Sequence, residues 1–342
     1  MPDRDREIMG FLEANGWQQA SRTMLADDAS ARRYQRLVHG DRQAILMDAP
    51  PDQMSIVPFL NIARHLVGLG FSAPEIYAED EASGLVLLED FGDDTYNRLL
   101  RSDPECEVEL YGLAVDVLST LHRCPEKDTV LAEAPTHSEA VLLDGVAQFV
   151  QHYIPQVMGQ SLSSSLSDEF RALWVAALKP VFDQPKTLVL RDFHVDNLIH
   201  LRDRDGIQRC GLLDFQDASI GAGAYDLMSL LEDARRDIST DIVDDMRQRY
   251  AHALNMNVPE QHSFDTAYAV LGAQRHTRVI GIFTRLCIRD AKPGYLVHIP
   301  RVWRLLERSL CHPALAELKA WFDTHIPKEN RGIPPRLAEQ MT

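Results

Sequence analysis

Hydrophobic and polar residues alternate in short runs near the start of the chain and recur at helical spacing over most of the rest. Three strand-like runs, RTMLA, RRYQRLVHG and RQAILMDAP, lie between residues 21 and 49, with turn-forming segments DDAS and HGDR around them. A helix is predicted before them over residues 3–15, and another after them from Pro58 through FLNIARHLVGLG. Two further runs, PEIYAED and GLVLLED, complete a predicted five-stranded sheet with one inserted helix.

The pattern becomes mainly helical after FGDD at residues 91–94. Apolar positions at helical spacing predict helices over residues 105–122, 140–158 and 167–180, and over most of the chain after Ala224. A short β segment, LVLRDFHVDNLIHLRDRDGIQRCGLLDF, interrupts them, and its RDRDG predicts a hairpin turn. The sequence therefore predicts an α+β fold with a small N-terminal β-sheet lobe, residues 1–90, and a larger, mainly helical C-terminal lobe, residues 91–342.

The composition narrows the class of protein. The 342 residues carry a net charge of −16, which argues against a nucleic-acid or membrane surface, because such surfaces need clustered positive charge. The five cysteines are widely spaced and form no CxxC pair, which predicts reduced thiols. The sequence has no secretory signal or transmembrane run and indicates no obligate protein partner, so we predict a cytoplasmic protein.

Candidate chemistry centres on the stretch LRDFHVDNLI and the segment that follows it. Asp192 and Asn197 stand five residues apart, and Asp214 follows the predicted hairpin in GLLDFQDA. Phosphoryl transfer needs a carboxylate that accepts the proton of the attacking hydroxyl and oxygen ligands for Mg²⁺. Because a hairpin folds its second strand back beside its first, Asp214 is expected beside Asn197. The residues alone predict a kinase of a small hydroxyl compound.

These motifs resemble those of a known superfamily. RDFHVDNL followed by LLDF is similar to the HRDxxxxN and DFG-type signatures of the protein-kinase-like superfamily. LSTLHRCP and GLLDFQDASIGAGAYDLMSLL resemble two blocks of its aminoglycoside phosphotransferase branch. Together with MDAPPD, LLEDFGDD and GIFTRLCIRDAKPGYLVHIPRV, they resemble bacterial anomeric kinases of N-acetylmuramate and N-acetylglucosamine, over roughly Ser21 to Leu306.

This resemblance implies a protein-kinase-like bilobal fold and an activity. The implied enzyme transfers phosphate from ATP, with Mg²⁺, to the C1 hydroxyl of an amino sugar. It would serve cell-wall sugar recycling, and a downstream uridylyltransferase would use its product. Asp192 would be the catalytic base, Asn197 and Asp214 the Mg²⁺ ligands, and Asp226 of the YDL block a buried acid that braces the catalytic loop.

The resemblance also implies an ATP site in the N-terminal lobe. The backbone from Glu89 to Phe91 would meet the adenine, and DDASARRY would be the turn that covers the phosphates. Ser30 lies in that turn, and its small side chain would permit close approach although the turn has no glycine. Backbone amides of the turn, Mg²⁺ and Arg32 or Arg33 would hold the phosphates, since a guanidinium binds phosphate in a fork.

The N-terminal lobe departs from the kinase pattern at its ion pair. The pattern requires a lysine on the third strand and a glutamate on the helix, yet the first lysine of this chain is Lys127. The third strand ends in Asp48, and the helix from Pro58 to Gly68 has no acid. Both partners are missing together, which indicates replacement, because the loss of one alone would leave a charge unpaired. Asp48 and Arg64 are a candidate charge-reversed pair.

The substrate-binding residues have alternative interpretations. His194 could bond substrate or brace the loop backbone, and Asp217 could bond a sugar hydroxyl or cap a loop. Arg275 and Arg278 begin a helical stripe of arginines that also includes residues 285 and 289. Such a stripe is usually a solvated face or a set of structural ion pairs, whereas the sharper hypothesis pairs Arg275 or Arg278 with the lactyl carboxylate of N-acetylmuramate.

Two other functions remain open from the sequence. A kinase of an aminoglycoside or an amino alcohol would carry the same phosphoryl-transfer residues. A nucleotide-binding pseudokinase would explain the missing lysine. A transition-metal site at His194, Asp196 and His200 is disfavoured, because no further ligand pair follows at suitable spacing.

Overall fold

The computed structural model describes residues 2–25, 32–129, 131 and 134–338. Contacts divide the chain into two compact units. The first unit comprises Met1–Val117 and Val195–Ala218, and the second comprises Leu118–His194 and Ser219–Thr342. The predicted boundary between residues 90 and 91 treats each domain as one continuous segment and stays a prediction.

The described residues form a mixture of strands and helices, as the sequence predicted. The strands are β1 (Ser21–Met24), β2 (Arg33–His39), β3 (Arg42–Asp48), β4 (Ile76–Asp80), β5 (Leu85–Leu88), β6 (Lys186–Val189), β7 (Leu198–His200), β8 (Cys210–Leu212) and β9 (Ser219–Ala222). The first helices are α1 (Pro2–Ala14), α2 (Val57–Gly68), α3 (Tyr96–Ser102), α4 (Glu107–Arg123), α5 (Glu126–Thr129), α6 (Glu139–Gln148) and α7 (Ile154–Met158). The later helices are α8 (Ser164–Phe182), α9 (Ala224–Leu231), α10 (Thr240–Ala253), α11 (Val258–Asp290), α12 (Ile299–Ser309), α13 (Ala316–His325) and α14 (Pro335–Ala338).

The first unit contains the predicted five-stranded sheet, in the order β1-β2-β3-β5-β4 with antiparallel neighbours. Alternate residues of its strands point to one buried face, where Leu46 is paired with Leu87 across β3 and β5. Ile8 and Leu12 of α1, with Trp17 after it, pack in the same apolar cluster. The amphipathic pattern of the first helix thus reflects its packing on the sheet. The inserted helix α2, with Pro58 in its first turn, is also confirmed.

The predicted hairpin is present in the first unit as β7 and β8. The strands pair antiparallel from Leu198 opposite Leu212 to His200 opposite Cys210. Their connection is longer than the tight turn that RDRDG predicted, because Gly206–Arg209 form a 3₁₀ turn before β8 begins. Gly206 begins that turn with a φ of +56°, a conformation that favours glycine.

The second unit is built around the 33-residue helix α11. Asn257 caps it in a capping box with Glu260, so its first backbone N–H groups have acceptors. Gly281 permits very close packing, since a Cβ there would lie 2.3 Å from the carbonyl carbon of Gln148. The predicted helix over residues 140–158 consists of α6, a π-helical turn at Phe149–Tyr153, and α7. None of the described helices combines the length and apolar character that a membrane span requires.

Candidate active site

Asn197 and Asp214 lie at the open end of the β7–β8 hairpin. The backbone N–H of Leu213 donates to the Asn197 carbonyl at 3.0 Å, which continues the pairing of the two strands. The Asn197 side-chain amide donates to Asp214 Oδ2 at 3.3 Å. Gln216 Nε2 donates to the other carboxyl oxygen of Asp214 at 2.6 Å. The hairpin therefore returns Asp214 to Asn197, as the sequence predicted.

The backbone at Asp214 is unusual and is held by its neighbour. Asp214 has a φ of +57°, a left-handed conformation that aspartate tolerates better than most side chains. The next residue, Phe215, is buried and stacks on Phe59 of α2 with ring centroids 5.3 Å apart. This apolar contact fixes the turn that presents the Asp214 carboxyl group.

The chemistry of these side chains fits a magnesium ion. Mg²⁺ prefers hard oxygen ligands, and Asp214 and Asn197 supply carboxylate oxygens and an amide oxygen on one hairpin end. The two hydrogen bonds described at Asp214 come from the neutral amides of Asn197 and Gln216. Rotation of the Asn197 amide would turn its oxygen toward such an ion.

Asp192 lies in the second unit, in the loop after β6. Its side chain is 35% exposed and lies 3.5 Å from Nη2 of Arg275 on α11. Burial alone would raise the pKa of Asp192, but the positive charges of Arg275 and, less strongly, of its other basic neighbours outweigh it and lower the pKa. Those neighbours are Arg278, Arg191 and, in its protonated form at acidic pH, His194. Asp192 is thus held as a carboxylate, the form that can accept a proton.

Arg275 is itself held in place by several contacts. Its side chain is 13% exposed, and its Nη1 donates to the Tyr225 hydroxyl at 3.0 Å and to the Arg191 carbonyl at 3.3 Å. Full burial would raise the pKa of Tyr225, yet the charges of Arg275 and Arg278 lower it. Of the two interpretations of the arginine stripe, a structural ion pair therefore describes Arg275. Its predicted contact with a lactyl carboxylate stays a prediction, as does that of the half-buried Arg278.

Asp226 lies beneath the same loop. It is fully buried near the start of α9 and accepts the backbone N–H of Leu190 at 2.6 Å and that of Arg191 at 2.8 Å. Arg191 has a φ of +70°, so two acceptor bonds stabilise an uncommon backbone conformation there. Burial raises the pKa of Asp226 to about 7, against the lowering effect of the two backbone N–H groups. These are the contacts expected of a loop brace.

The remaining predicted substrate residues differ in exposure. His194 is buried, and burial lowers its pKa despite the negative charge of Asp233, so its imidazole is neutral at pH 7. Asp217, in contrast, is exposed just beyond Phe215. His194 therefore offers one donor and one acceptor nitrogen inside the second unit, whereas Asp217 is a surface carboxyl group of the first unit.

The predicted ATP-binding residues lie in the first unit, except that Ser30 is outside the described residues. Arg32 is half-buried just before β2, and Arg33 begins β2 opposite Asp48. Glu89 forms an ion pair with Arg204, whose guanidinium lies 5.1 Å from the centre of the Phe91 ring. Arg204 therefore anchors both ends of the predicted adenine connector, a contact that no sequence motif indicated.

The suggested pair between Asp48 and Arg64 was wrong. Asp48 is buried and accepts from Arg4 of α1, at 3.1 Å from Nε and 2.5 Å from Nη2. Arg64 is largely exposed and pairs with Glu79 of β4. The acid that ends the third strand is thus neutralised from the N-terminal helix, which lies on the sheet.

Comparisons with known proteins identify the family of the chain. A family model described as the phosphotransferase enzyme family matches residues 22–264. A Caulobacter vibrioides protein named N-acetylmuramate/N-acetylglucosamine kinase is 36% identical, over 96% of this chain and 98% of its own length. A Pseudomonas aeruginosa protein of the same name is 35% identical over 89% of each chain. The chain belongs to the phosphotransferase enzyme family.

Solved structures share the fold of this phosphotransferase. A choline/ethanolamine kinase family protein from Mesorhizobium loti matches with a TM-score of 0.63 and 14% identity, over 94% of this chain and 99% of its own. An aminoglycoside-3'-phosphotransferase of type VIII matches with a TM-score of 0.56 and 16% identity, over 79% of this chain and 97% of its own. The predicted protein-kinase-like fold is confirmed, and the chain is an enzyme that transfers phosphate to a hydroxyl acceptor.

Sequence motifs did not identify every contact in this phosphotransferase. Arg275 was a candidate for substrate binding but not for the Asp192 ion pair, and Tyr225 was known only as part of the YDL block. The 82 residues between Asp192 and Arg275 carry no local signal of the pairing. The three unequal arginine spacings on one helix face were the only hint that α11 faces a charged group.

Proposed function

We propose that this phosphotransferase is an ATP- and Mg²⁺-dependent sugar kinase. Its acceptor would be the anomeric C1 hydroxyl of N-acetylmuramate, N-acetylglucosamine or both, and its role would be cell-wall sugar recycling. The observation that carries the substrate class is the near-complete mutual coverage with a relative named N-acetylmuramate/N-acetylglucosamine kinase. The reaction product, a sugar 1-phosphate, has the chemistry that a uridylyltransferase would use.

In this proposal Asp192 is the catalytic base. It orients the anomeric hydroxyl and takes its proton as the γ-phosphoryl group is transferred. The Arg275 guanidinium at 3.5 Å supports this role, because it favours the carboxylate form of Asp192. Asp226 supports it less directly, by holding the backbone that precedes Asp192.

Asn197 and Asp214 would hold Mg²⁺ in the same proposal. The ion, when bound, neutralises charge on the ATP phosphates and on the group in transfer. The hydrogen bond of 3.3 Å between the two side chains supports a shared ligand role, since it places their polar atoms at one point. Arg32, Arg33 and the turn that contains Ser30 would supply phosphate contacts in place of the missing lysine.

An acceptor panel tests the substrate class. We expect ADP release from purified protein, ATP and Mg²⁺ when N-acetylmuramate or N-acetylglucosamine is added. Kanamycin, choline and ethanolamine serve as matched acceptors for the alternative kinases, and we expect no release with them above the rate without acceptor. Phosphorylation of kanamycin, choline or ethanolamine but of neither amino sugar would refute the proposal in favour of the corresponding alternative kinase. ATP binding without turnover of any acceptor would indicate a pseudokinase.

A further inference from the structure

Asp233, in the loop after α9, has an unsatisfied polar atom. Its side chain is 4% exposed. Oδ1 accepts the backbone N–H of Arg235 at 2.8 Å, whereas Oδ2 is closed off from solvent and has no hydrogen-bond partner among the described residues. A buried carboxyl oxygen without a partner costs free energy, so native proteins keep few of them, and a functional role is one reason to keep one.

The backbone around Asp233 is anchored, so the side chain has a defined position. Arg301 of α12 donates from Nε to the Asp233 carbonyl at 2.9 Å, and the same guanidinium pairs with Asp237 four residues later. Beyond Asp233, residues 234–239 are partly or fully exposed.

Asp233 lies beside the proposed catalytic base in the second unit. Its carboxyl oxygen is within 4.8 Å of a ring nitrogen of His194, which is two residues from Asp192. Its charge also acts on Arg275, the ion-pair partner of Asp192. Asp233, His194 and Asp192 therefore present polar atoms in one region of this unit.

We propose that Asp233 and His194 together bind a hydroxyl group of the sugar acceptor, other than the one that is phosphorylated. The inference rests on the proposed sugar kinase function and adds a specificity-determining residue to it. A sugar hydroxyl is both a donor and an acceptor. It donates to Asp233 Oδ2 and accepts from the imidazole N–H of His194, so the ligand supplies the hydrogen bond that Oδ2 lacks. An amino alcohol with a single hydroxyl lacks this second group.

Acceptor binding by variants and deoxy sugars tests the pair. Titration calorimetry without ATP would measure the affinity of wild type and Asp233→Asn for N-acetylglucosamine and its 3-, 4- and 6-deoxy analogues. We expect Asp233→Asn to weaken binding of the parent sugar by about 10- to 100-fold. One deoxy analogue should bind to the wild type as weakly as the parent sugar binds to Asp233→Asn. Asp233→Asn should lower the affinity for that analogue no further. This non-additivity identifies the hydroxyl in contact.

Stability separates this role from a structural one. Because Oδ2 has no partner, Asp233→Asn should leave the Tm unchanged or raise it while acceptor affinity falls. Asp237→Asn, in the same loop but with a 79% exposed side chain, is the matched control and should affect all the sugars equally. An equal loss of affinity for every analogue with Asp233→Asn, or a lowered Tm with unchanged affinity, overturns the inference.

The same measurements distinguish this inference from the proposed function. Sugar binding with the expected non-additivity but no phosphate transfer would leave the Asp233 site standing and remove the sugar kinase function. Phosphate transfer to the sugars, with no difference in affinity between analogues, would support the sugar kinase function and refute the Asp233 site. A wild-type protein that neither binds nor phosphorylates an amino sugar would remove both.

Discussion

Asp192 and Asp214 are two carboxyl groups of one proposed reaction, yet their surroundings differ. Asp192 is paired with a nearly buried arginine that lies 83 residues away in the chain, and Asp226 holds its loop from a further helix. Asp214 has neutral amide donors from Asn197 and Gln216, both within 17 residues of it. The described contacts of the proposed base thus include a long-range ion pair, whereas those of the proposed metal ligand come from its own hairpin and the residues next to it.

This difference follows from what each group must do. A general base has to stay ionised and correctly oriented without a bound cation, so charged partners must come from the protein. A metal ligand is neutralised by the ion itself, and a cationic partner would compete with that ion. The comparison predicts that substitutions around Asp192 change the pH dependence, and that substitutions around Asp214 change the Mg²⁺ dependence.

The largest expected effect is that of Asp192→Asn. An amide of the same shape cannot accept the hydroxyl proton, so kcat should fall by about 10³-fold. ATP affinity, measured by fluorescence titration with Mg²⁺ present, should stay within about threefold of wild type, because the side chain does not contact nucleotide in the proposed mechanism. Loss of ATP affinity by a larger factor would show that Asp192 acts otherwise than as a base.

Asp214→Asn should lower activity by about 10²-fold at low Mg²⁺, since it removes the only charge of the proposed ligand pair. Excess Mg²⁺ should recover part of the loss, and Mg²⁺ titrations of kcat would measure this. Asp203→Asn, in the exposed connection of the same hairpin, is the matched control. A loss that no Mg²⁺ concentration changes would contradict the metal-ligand role.

Arg275→Gln should change the pH profile rather than the metal dependence. Arg275 is the main charge that lowers the pKa of Asp192 against burial, so its removal should raise that pKa. The acid limb of kcat/KM would then move to higher pH, and activity above that limb should fall by about 10-fold. Arg289→Gln, at an exposed position of the same helix, should leave the limb in place. An acid limb that stays at the same pH in Arg275→Gln would contradict the assignment of Arg275 as the charge that lowers the pKa of Asp192.

Asp226→Asn should destabilise the fold by about 1–3 kcal/mol, because one of the two backbone N–H groups loses its acceptor. The pKa of Asp226 is raised to about 7, so the folded state binds a proton that the unfolded state has released. The Asp226 contribution is fully present below its ordinary pKa and is lost as pH rises toward 7. Urea unfolding of both proteins from pH 4 to 7 should therefore show a shrinking difference, and a growing difference would refute the sign.

The smallest expected effects concern the ion pairs of the first unit. Arg64→Ala removes a largely exposed pair with Glu79 and should change the free energy of unfolding by less than about 1 kcal/mol. Arg4→Ala leaves the buried Asp48 without its ion-pair partner and should cost more. Urea unfolding of the two variants measures which one loses more free energy of unfolding. A larger loss with Arg64→Ala than with Arg4→Ala would contradict the assignment of Arg4 as the partner of Asp48.

The sequence predicted the parts of this molecule that local spacing determines. The five-stranded sheet, its inserted helix and the β7–β8 hairpin follow from short-range patterns, and with them the placement of Asp214 beside Asn197. The partners of Asp192 and Asp48 did not follow, because Arg275 and Arg4 are separated from them by 83 and 44 residues. Such pairs depend on helix packing, which a single sequence does not specify.

The unsatisfied oxygen of Asp233 was also beyond prediction. LEDARRD contains several charged residues, and nothing in its spacing separates Asp233 from Glu232 or Asp237. The folded structure distinguishes them, since Glu232 is equally buried but pairs with Arg308 and hydrogen-bonds His276, and Asp237 is exposed. A missing hydrogen-bond partner depends on the folded surroundings of a side chain, so a sequence pattern does not reveal it.

Product analysis by ³¹P NMR tests the central claim most directly. Wild-type protein, ATP, Mg²⁺ and N-acetylglucosamine labelled with ¹³C at C1 should give a phosphate resonance coupled to the labelled carbon. Asp192→Asn at the same concentration should give none within the same period. A phosphate on any other carbon, or equal product from the Asp192 variant, would contradict an anomeric kinase that uses Asp192 as its base.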